Sequence, residues 1–334
     1  MAVTCRRAAR CGLLALLWTL PGQVQAADPQ PPLVPERTIT LAGVSGRIDH
    51  MAIDLRRDRL FVAELGNDTV DVIDLAAGKV IQRIKGLREP QGVGYAPKAD
   101  VVAVANAGDG SVRLFKGEDL TPLGVIQLGD DADNIRLNTE TEQLVVGYGS
   151  GGLAMLDLAS SSVARDLKLK GHPESFQLDP GTHRVFVNVP DAGHIAVLAD
   201  GKQVATWRVS GLSGNFPMAL DAGGMILATV FRDPARLVLL DTRAGTVMAS
   251  LRTCRDADDV FFDGKRPRLY VSCGEGVVDV MQQDAGSYRS LARVKTSSGA
   301  RTALFVPELD RMFVAERAGL LGSDAAILVL RPVP

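Results

Sequence analysis

The sequence lacks an excess of basic residues and a long apolar run, and both absences narrow the range of functions. Its 334 residues carry 37 Lys and Arg against 39 Asp and Glu, a formal net charge of −2. Nucleic-acid binding requires a basic face, so we expect no nucleic-acid partner. No stretch reaches the roughly twenty consecutive apolar residues that a membrane-spanning helix needs. The composition therefore argues against a nucleic-acid-binding protein and against a protein embedded in a membrane.

The N-terminal segment has the pattern of a secretory signal peptide. Three arginines precede the apolar run Gly12–Leu20, which is about half the length of a membrane span. Val24 and Ala26 supply the small residues that a signal peptidase recognises. We therefore expect residues 1–26 to be a signal peptide cleaved after Ala26. The protein would then be periplasmic or secreted, with no membrane insertion after cleavage.

Cysteine is scarce as well, with four residues in the chain. Cys5 and Cys11 fall in the predicted signal peptide, so the exported chain would keep Cys254 and Cys273. An even pair of cysteines in an oxidising compartment predicts one disulfide. Two unpaired buried thiols are the alternative.

What the sequence does contain is an internal repeat. Short runs such as LFVA and LYVS return at successive shifts of 42, 42, 41, 42, 42 and 43 residues. Within each copy, apolar residues alternate with polar ones in short runs separated by turn residues, which is the pattern of antiparallel strands. A repeat of this length with four strands is typical of a propeller blade. The marker positions of the seven copies are Leu60, Val102, Leu144, Val185, Leu227, Leu269 and Met312.

The repeats predict an all-β protein, a seven-bladed β-propeller. The last copy has room for only about three strands, while ERTITLAG (Glu36–Gly43) alternates like the missing fourth strand. An N-terminal strand in the last blade would close the ring and remove exposed sheet edges. We therefore assign residues 36–334 to one propeller. The proline-rich residues 27–35 are interpreted as an extended lead-in.

Several stretches resemble a known family of propellers. FVAELGNDTVDVIDLAAGKVIQRIKG (Phe61–Gly86), followed by REPQGVGYAP (Arg88–Pro97), is similar to a repeat of the YVTN-type β-propellers, the YncE-like proteins. VFVN at Val185–Asn188 and LYVS at Leu269–Ser272 resemble the strand that gives this family its name. The resemblance extends from Glu36 to Leu330. It implies an exported propeller, and most members of the family have no assigned reaction.

The propeller arrangement predicts where chemistry would collect. The loops that enter the innermost strands meet at the mouth of the central channel, and sites favour such concave places on rigid scaffolds. The copies place polar residues at these strand starts. The candidate ligand-binding residues are Asp49, His50, Gln91, Asp133, Asn134, His172, Glu174, Arg232, Asp258, Asp259 and Arg301.

The residue types at this mouth favour oxygen-based recognition. Oxygen ligands with few nitrogens favour calcium or magnesium over zinc, so a divalent cation is the candidate cofactor. Arg301 and Arg232 are candidates to hold an anionic group with their planar guanidinium forks. The alternative is that strand starts beside solvent are polar in any case and the mouth holds only water. The candidate metal ligands are Asp49, Asp133, Glu174 and Asp258.

Two functional hypotheses remain open. The sequence has no recognisable nucleophile–base set, which favours a propeller that binds a small polar ligand, an ion or a protein partner at the channel mouth without evident catalysis. The alternative is a metal-dependent hydrolase of the lactonase type, in which a cation polarises a carbonyl and His50 or His172 acts as the base. The chain has no Glu-Asn-Asn-Asp ligand set in the order that a lactonase propeller needs, and this departure disfavours the alternative.

Two further features follow from the blade arrangement. Cys254 falls at the end of the outer strand of the fifth copy and Cys273 at the end of the second strand of the sixth, on the same face, so a bridge between them is geometrically reasonable. Aspartates that recur at fixed repeat positions are expected to bind the amides of turns. They are Asp54, Asp74, Asp157, Asp179, Asp221 and Asp241.

Overall fold

The computed structural model describes residues 1–4, 30–319 and 322–334. The predicted signal peptide, apart from residues 1–4, and the lead-in through residue 29 lie outside the described residues. Residues Pro31–Pro334 belong to one unit, which is built from seven four-stranded antiparallel sheets. Among the described residues, no helix combines the length and apolar character needed to cross a membrane.

The strands follow the repeat, with four consecutive strands in each of the first six blades, from the innermost outward. The first strand, β1 (Leu33–Leu41), precedes them and belongs to the seventh blade. Blade 1 contains β2 (Met51–Asp54), β3 (Arg59–Glu64), β4 (Thr69–Asp74) and β5 (Lys79–Ile84). Blade 2 contains β6 (Pro90–Ala96), β7 (Val101–Asn106), β8 (Ser111–Lys116) and β9 (Pro122–Gln127). Blade 3 contains β10 (Ala132–Leu137), β11 (Leu144–Tyr148), β12 (Gly152–Asp157) and β13 (Ser162–Lys168).

The remaining blades repeat this order. Blade 4 contains β14 (Phe176–Asp179), β15 (Arg184–Val189), β16 (His194–Ala199) and β17 (Lys202–Trp207). Blade 5 contains β18 (Ser213–Leu220), β19 (Ile226–Asp233), β20 (Ala235–Asp241) and β21 (Val247–Arg252). Blade 6 contains β22 (Ala257–Asp263), β23 (Arg268–Cys273), β24 (Val277–Asp284) and β25 (Ser287–Lys295). Blade 7 contains β26 (Ala303–Val306), β27 (Arg311–Glu316) and β28 (Ala325–Pro332), and β1 is its fourth strand.

The burial of each strand matches its place in the blade. The second strands β3 and β7 are buried at every position, because neighbouring blades cover both of their faces. Such strands carry continuous apolar runs instead of an alternating pattern. The outer strand β17 alternates between exposed and half-buried residues. The core is divided into clusters between neighbouring blades, as where Phe61 and Val72 of blade 1 pack with Tyr95 and Val102 of blade 2.

The ring closes as the sequence predicts. β1 pairs antiparallel with β28, with Ile39 opposite Ile327. Ile39 and Leu41 are buried in a cluster that also contains Leu60 of blade 1 and Phe313 of blade 7. The seven-bladed β-propeller with an N-terminal strand in its last blade is therefore confirmed.

The closing strand begins earlier than the sequence pattern indicates. β1 starts at Leu33, within the segment interpreted as a lead-in. Leu33 is fully buried and lies opposite Pro332. The register shifts between Pro35 and Arg37, so this strand does not alternate evenly and its first residues carry no strand signal.

The recurring aspartates bind turn amides, as predicted. Asp54 Oδ1 accepts hydrogen bonds from the amides of Arg56 at 3.0 Å and Arg57 at 3.3 Å. Asp157 Oδ1 accepts one from Ala159 at 2.9 Å. Each of these carboxylates satisfies backbone donors that the tight turn leaves without a strand partner. Asp74, Asp179, Asp221 and Asp241 do the same.

The predicted disulfide is present. Cys254 and Cys273 are bonded, with their Cα atoms 6.0 Å apart, and both residues are fully buried. Cys254 follows the outer strand β21 and Cys273 ends β23. The bond therefore joins blade 5 to blade 6.

Candidate functional site

The starts of the innermost strands come together, as the repeat predicts. Asp49 and His50 directly precede β2, and Glu174 lies just before β14. Asp133 and Asp258 are the second residues of β10 and β22. Because each blade contributes from the same position, residues far apart in the chain share one end of the channel.

These side chains surround a small cavity, which we call the mouth cavity. Its volume is about 20 Å³, enough for about one water molecule or a monatomic ion. Five carboxylates line it, against one arginine and one histidine. The lining residues are Arg47, Asp49, His50, Asp133, Asn134, Glu174, Ser175, Phe216, Asp258 and Asp259.

Asp49 is almost completely buried at the edge of this cavity. Its Oδ2 atom lies 2.7 Å from Nη2 of Arg47, and its Oδ1 atom lies 3.6 Å from Nε2 of His50. Burial raises the pKa of Asp49 to about 6 despite the two basic neighbours. Asp49 and His50, which precede the first strand of blade 1, therefore form a buried charge cluster with Arg47.

His50 and His172 both face the carboxylate of Asp133. His50 Nε2 lies 4.0 Å from Asp133 Oδ1, and His172 Nε2 lies 3.7 Å from Asp133 Oδ2. Burial alone lowers the pKa of His172, but the nearby carboxylate of Asp133, the hydrogen bond between Nδ1 and the carbonyl of Gly149, and the charge of Asp131 raise it to about 9. Burial likewise lowers the pKa of His50, and the surrounding carboxylates outweigh it, so the net pKa is raised.

Two further carboxyls of the mouth cavity resist ionisation. Burial raises the pKa of Glu174 to about 7, and the nearby charge of Asp133 adds to the shift. Burial also raises the pKa of Asp259 to about 7, even though Asp259 Oδ2 accepts a hydrogen bond from the amide of Ala303 at 2.8 Å. The carboxyl groups of Glu174 and Asp259 are therefore only partly ionised at neutral pH.

Arg232 and Arg301 are engaged by carboxylates of the chain. Arg232 Nη2 donates to Asp258 Oδ1 at 2.5 Å, and Arg301 Nε lies 3.3 Å from Asp258 Oδ2. Arg301 Nη1 also donates to Asp256 Oδ1 at 3.0 Å. The guanidinium carbon of Arg232 lies 3.6 Å from the centre of the Phe216 ring. Both guanidinium groups are thus paired with carboxylates of the chain, so the predicted role of holding an external anion would compete with these ion pairs.

The remaining predicted residues differ in their access to the cavity. Gln91 lies outside the lining and links Arg47 to Asp131, with hydrogen bonds of 3.3 Å on each side. Asn134 lines the cavity, and its Oδ1 atom is buried without a hydrogen-bond partner among the described residues. Asp133 Oδ1 is likewise buried without a hydrogen-bond partner among the described residues. These two oxygens are unused acceptors beside the cavity.

Some charged residues of the site escape the sequence-based prediction. Arg47, Asp131 and Asp256 each lie two positions before an acid of the predicted set, and His172 occupies the same repeat position. The repeat alignment could have identified these residues, because each lies in the loop two positions before the strand-start acid and that loop borders the channel mouth. Burial lowers the pKa of Arg317, and the nearby charges of Arg301 and Arg47 lower it further. Arg317 therefore lies near the site, and no repeat position predicts it.

The described residues contain no group of three His, Cys, Asp or Glu side chains that could hold a metal ion as they stand. Asp49 pairs with Arg47, and Asp258 pairs with Arg232 and Arg301. A calcium or magnesium ion would have to compete with these arginines. The metal site at Asp49, Asp133, Glu174 and Asp258 stays a prediction.

Comparisons with known proteins identify the fold and no more. No protein-family model and no curated protein matches the chain. A solved structure described as Kuenenia stuttgartiensis hydrazine synthase is similar, with a TM-score of 0.74 and 16% identity over 85% of this chain and 95% of that chain. A chain of the mitotic checkpoint complex has a TM-score of 0.78 and 12% identity over 97% of this chain and 99% of that chain. At such identities the likeness shows a shared propeller architecture, and function has to be argued from the site.

Proposed function

We propose that this protein is a binding propeller that holds a small ligand carrying positive charge or several hydrogen-bond donors at the mouth cavity. The observation that carries the proposal is the pair of buried oxygens without a hydrogen-bond partner among the described residues, Asp133 Oδ1 and Asn134 Oδ1, in residues that line this cavity. A buried acceptor without a partner costs about 1–3 kcal/mol, and such groups commonly have a water or an ion as partner. The excess of carboxylates over basic groups in the lining favours a cationic or donor-rich occupant.

The geometry gives less support to the alternative of a metal-dependent lactonase-type hydrolase. That reaction needs a base that is free of its proton near neutral pH. His172 has a pKa of about 9, and the pKa of His50 is also raised. His172 would therefore have to lose a proton before it could act as a base. We therefore propose binding without catalysis, with an ion or a small polar molecule in preference to a protein partner.

Changing Asp133 to Asn tests the proposed site. The substitution keeps the shape of the side chain and removes the negative charge that faces both histidines. Calcium, magnesium and ammonium, a cation close in size to a water molecule, serve as probes in titration calorimetry and thermal-shift assays. We expect at least one probe to bind the unaltered protein, and its affinity for Asp133→Asn to fall at least tenfold, or about 1.4 kcal/mol.

The neighbouring Asp130→Asn provides the matched control. Asp130 lies in the loop that leads into β10 and is exposed, and it does not line the mouth cavity. Its substitution removes a carboxylate charge three residues away from Asp133 and should leave affinity unchanged. Equal losses in both variants would point to a general surface-charge effect, and binding that survives in Asp133→Asn would contradict the assignment of the site.

We further propose that the chain is an exported propeller of the YVTN type. The disulfide supports export, because such bonds persist in oxidising compartments. Expression in a bacterium with a periplasm should yield a chain that begins at Ala27, because the signal peptide is removed there. Intact-mass measurement of the purified protein checks this, and a chain that retains residues 1–26 would argue against export.

A further inference from the structure

Inward from the mouth cavity, the central channel widens into a second cavity, which we call the chamber. Its volume is about 740 Å³, within the range of about 300–1,000 Å³ that small-molecule sites occupy. The lining reaches the turns that follow the innermost strands, at Pro97, Gly264 and Pro307, so the chamber extends to the face opposite the mouth. Its size and position separate it from the mouth cavity, although His50 and Asp259 line both.

The chamber is mostly apolar. A single repeat position contributes one residue per blade to the chamber wall. This position lies three residues after that of Asp49 in blade 1. At this position five of the seven blades carry an apolar or small residue, and Arg136 and Gln177 are the exceptions. The seven residues are Ala52, Gly94, Arg136, Gln177, Ala219, Phe261 and Leu304.

Arg136 is the unusual member of this ring. Its Nη1 atom donates to the carbonyl of Ile135 at 3.0 Å, and among the described residues no carboxylate oxygen lies within 4.0 Å of its guanidinium nitrogens. The ring of Phe176 lies 5.9 Å from its guanidinium carbon. Burial of this cation is costly enough to lower its pKa. A guanidinium held in an apolar chamber without a carboxylate partner is a ready receptor for a carboxylate, which its planar fork can bind through two parallel hydrogen bonds.

The charges at the inner end of the chamber are compatible with such a guest. His50 and Arg136 are the basic groups there, and Asp259 is the acid. One oxygen of Asp259 is already bound by the amide of Ala303. The other arginine of the lining, Arg56, lies at the far rim, where it donates to the carbonyl of Pro97 at 3.1 Å.

We propose that the chamber binds a small organic monocarboxylate with an apolar body, whose carboxylate pairs with Arg136 while its body lies against Phe261, Leu304 and Met218. The apolar body gains from leaving water in proportion to its buried area. The head group supplies the missing partner of the guanidinium. This site is additional to the mouth cavity and takes a ligand of the opposite charge.

Three ligands with straight-chain bodies of nine or ten carbons and different heads test the proposal: decanoate, decanol and decyltrimethylammonium, each kept below its aggregation threshold. Titration calorimetry on the purified protein should show the tightest binding for decanoate. Arg136→Met keeps an apolar chain of similar length and removes the charge. We expect it to weaken decanoate binding at least tenfold while leaving decanol binding within about twofold.

Arg56→Met is the matched control, since it removes an arginine from the same chamber at the opposite end. It should leave decanoate binding unchanged. Gln177→Glu gives an independent readout that does not alter Arg136, because it adds a negative charge to the chamber wall on the neighbouring blade, and this charge would repel a carboxylate guest. This variant should weaken decanoate binding at least threefold. Circular dichroism and the unfolding midpoint confirm that each variant is folded.

Several results would overturn the proposal. They include a failure of decanoate to bind the unaltered protein and unchanged decanoate affinity in folded Gln177→Glu or folded Arg136→Met. A loss in Arg56→Met that equals the loss in Arg136→Met would place the head group at the wrong end of the chamber and would equally reject the assignment.

Discussion

Replacing Ile39 with Ala should destabilise the protein by about 2–5 kcal/mol, the range for truncating a large buried aliphatic side chain. Ile39 is 1% exposed and lies in β1, packed in the cluster that includes Leu60 and Phe313. The truncation leaves a cavity at the seam where the two ends of the chain meet. The midpoint of thermal or urea unfolding, followed by circular dichroism, measures the effect.

Thr40→Ala is the control for this experiment. Thr40 is the next residue of the same strand and is exposed, so its truncation should change stability by less than about 0.5 kcal/mol. Equal and small effects of the two substitutions would show that β1 contributes little to the ring. That result would contradict closure by the N-terminal strand as a source of stability.

Removing the disulfide by the double substitution Cys254→Ala and Cys273→Ala should cost about 3 kcal/mol. The two cysteines are 19 residues apart, and the loss of a cross-link around a loop of this length releases about that much chain entropy in the unfolded state. Because the bond joins blades 5 and 6, the change also removes a covalent tie across a blade interface. The unfolding midpoint under non-reducing conditions checks the prediction.

Dithiothreitol supplies the internal control for the disulfide. It should lower the unfolding midpoint of the unaltered protein toward that of the double variant, and it should leave the double variant unchanged. A reductant effect of the same size on both proteins would assign the loss to something other than this bond.

The architecture was predictable from the sequence because the same four-strand pattern recurs in seven copies. Strand alternation, the shift near 42 residues and the short final copy together require a closed ring. The start of β1 was less accessible, since Leu33 pairs with Pro332 across a stretch with a register shift at Pro35. Proline in that stretch indicates an irregular lead-in, and only the partner strand shows that it continues the sheet.

The convergence of the strand starts was predictable from the sequence, whereas the full membership of the site and its charge pairing were not. Equivalent strand starts had to converge, and they do. Which charge neutralises which depends on distances between blades, so the pairing of Asp258 with Arg232 and Arg301 could not be read from the sequence. The chamber escaped the prediction for a different reason. The predicted site consisted of strand-start residues, whereas the chamber is lined three residues further along each innermost strand, where Arg136 lies among small and apolar residues.

The division of the apolar core into clusters between neighbouring blades affects how such a protein can change its specificity. Residues such as Tyr95, Met218 and Phe305 both line the chamber and pack between neighbouring blades. Substitutions at these positions would alter recognition and the joints between sectors together. One frame can therefore acquire new guests most readily through the polar positions of the axis, such as Arg136 and Gln177, which lie outside those clusters.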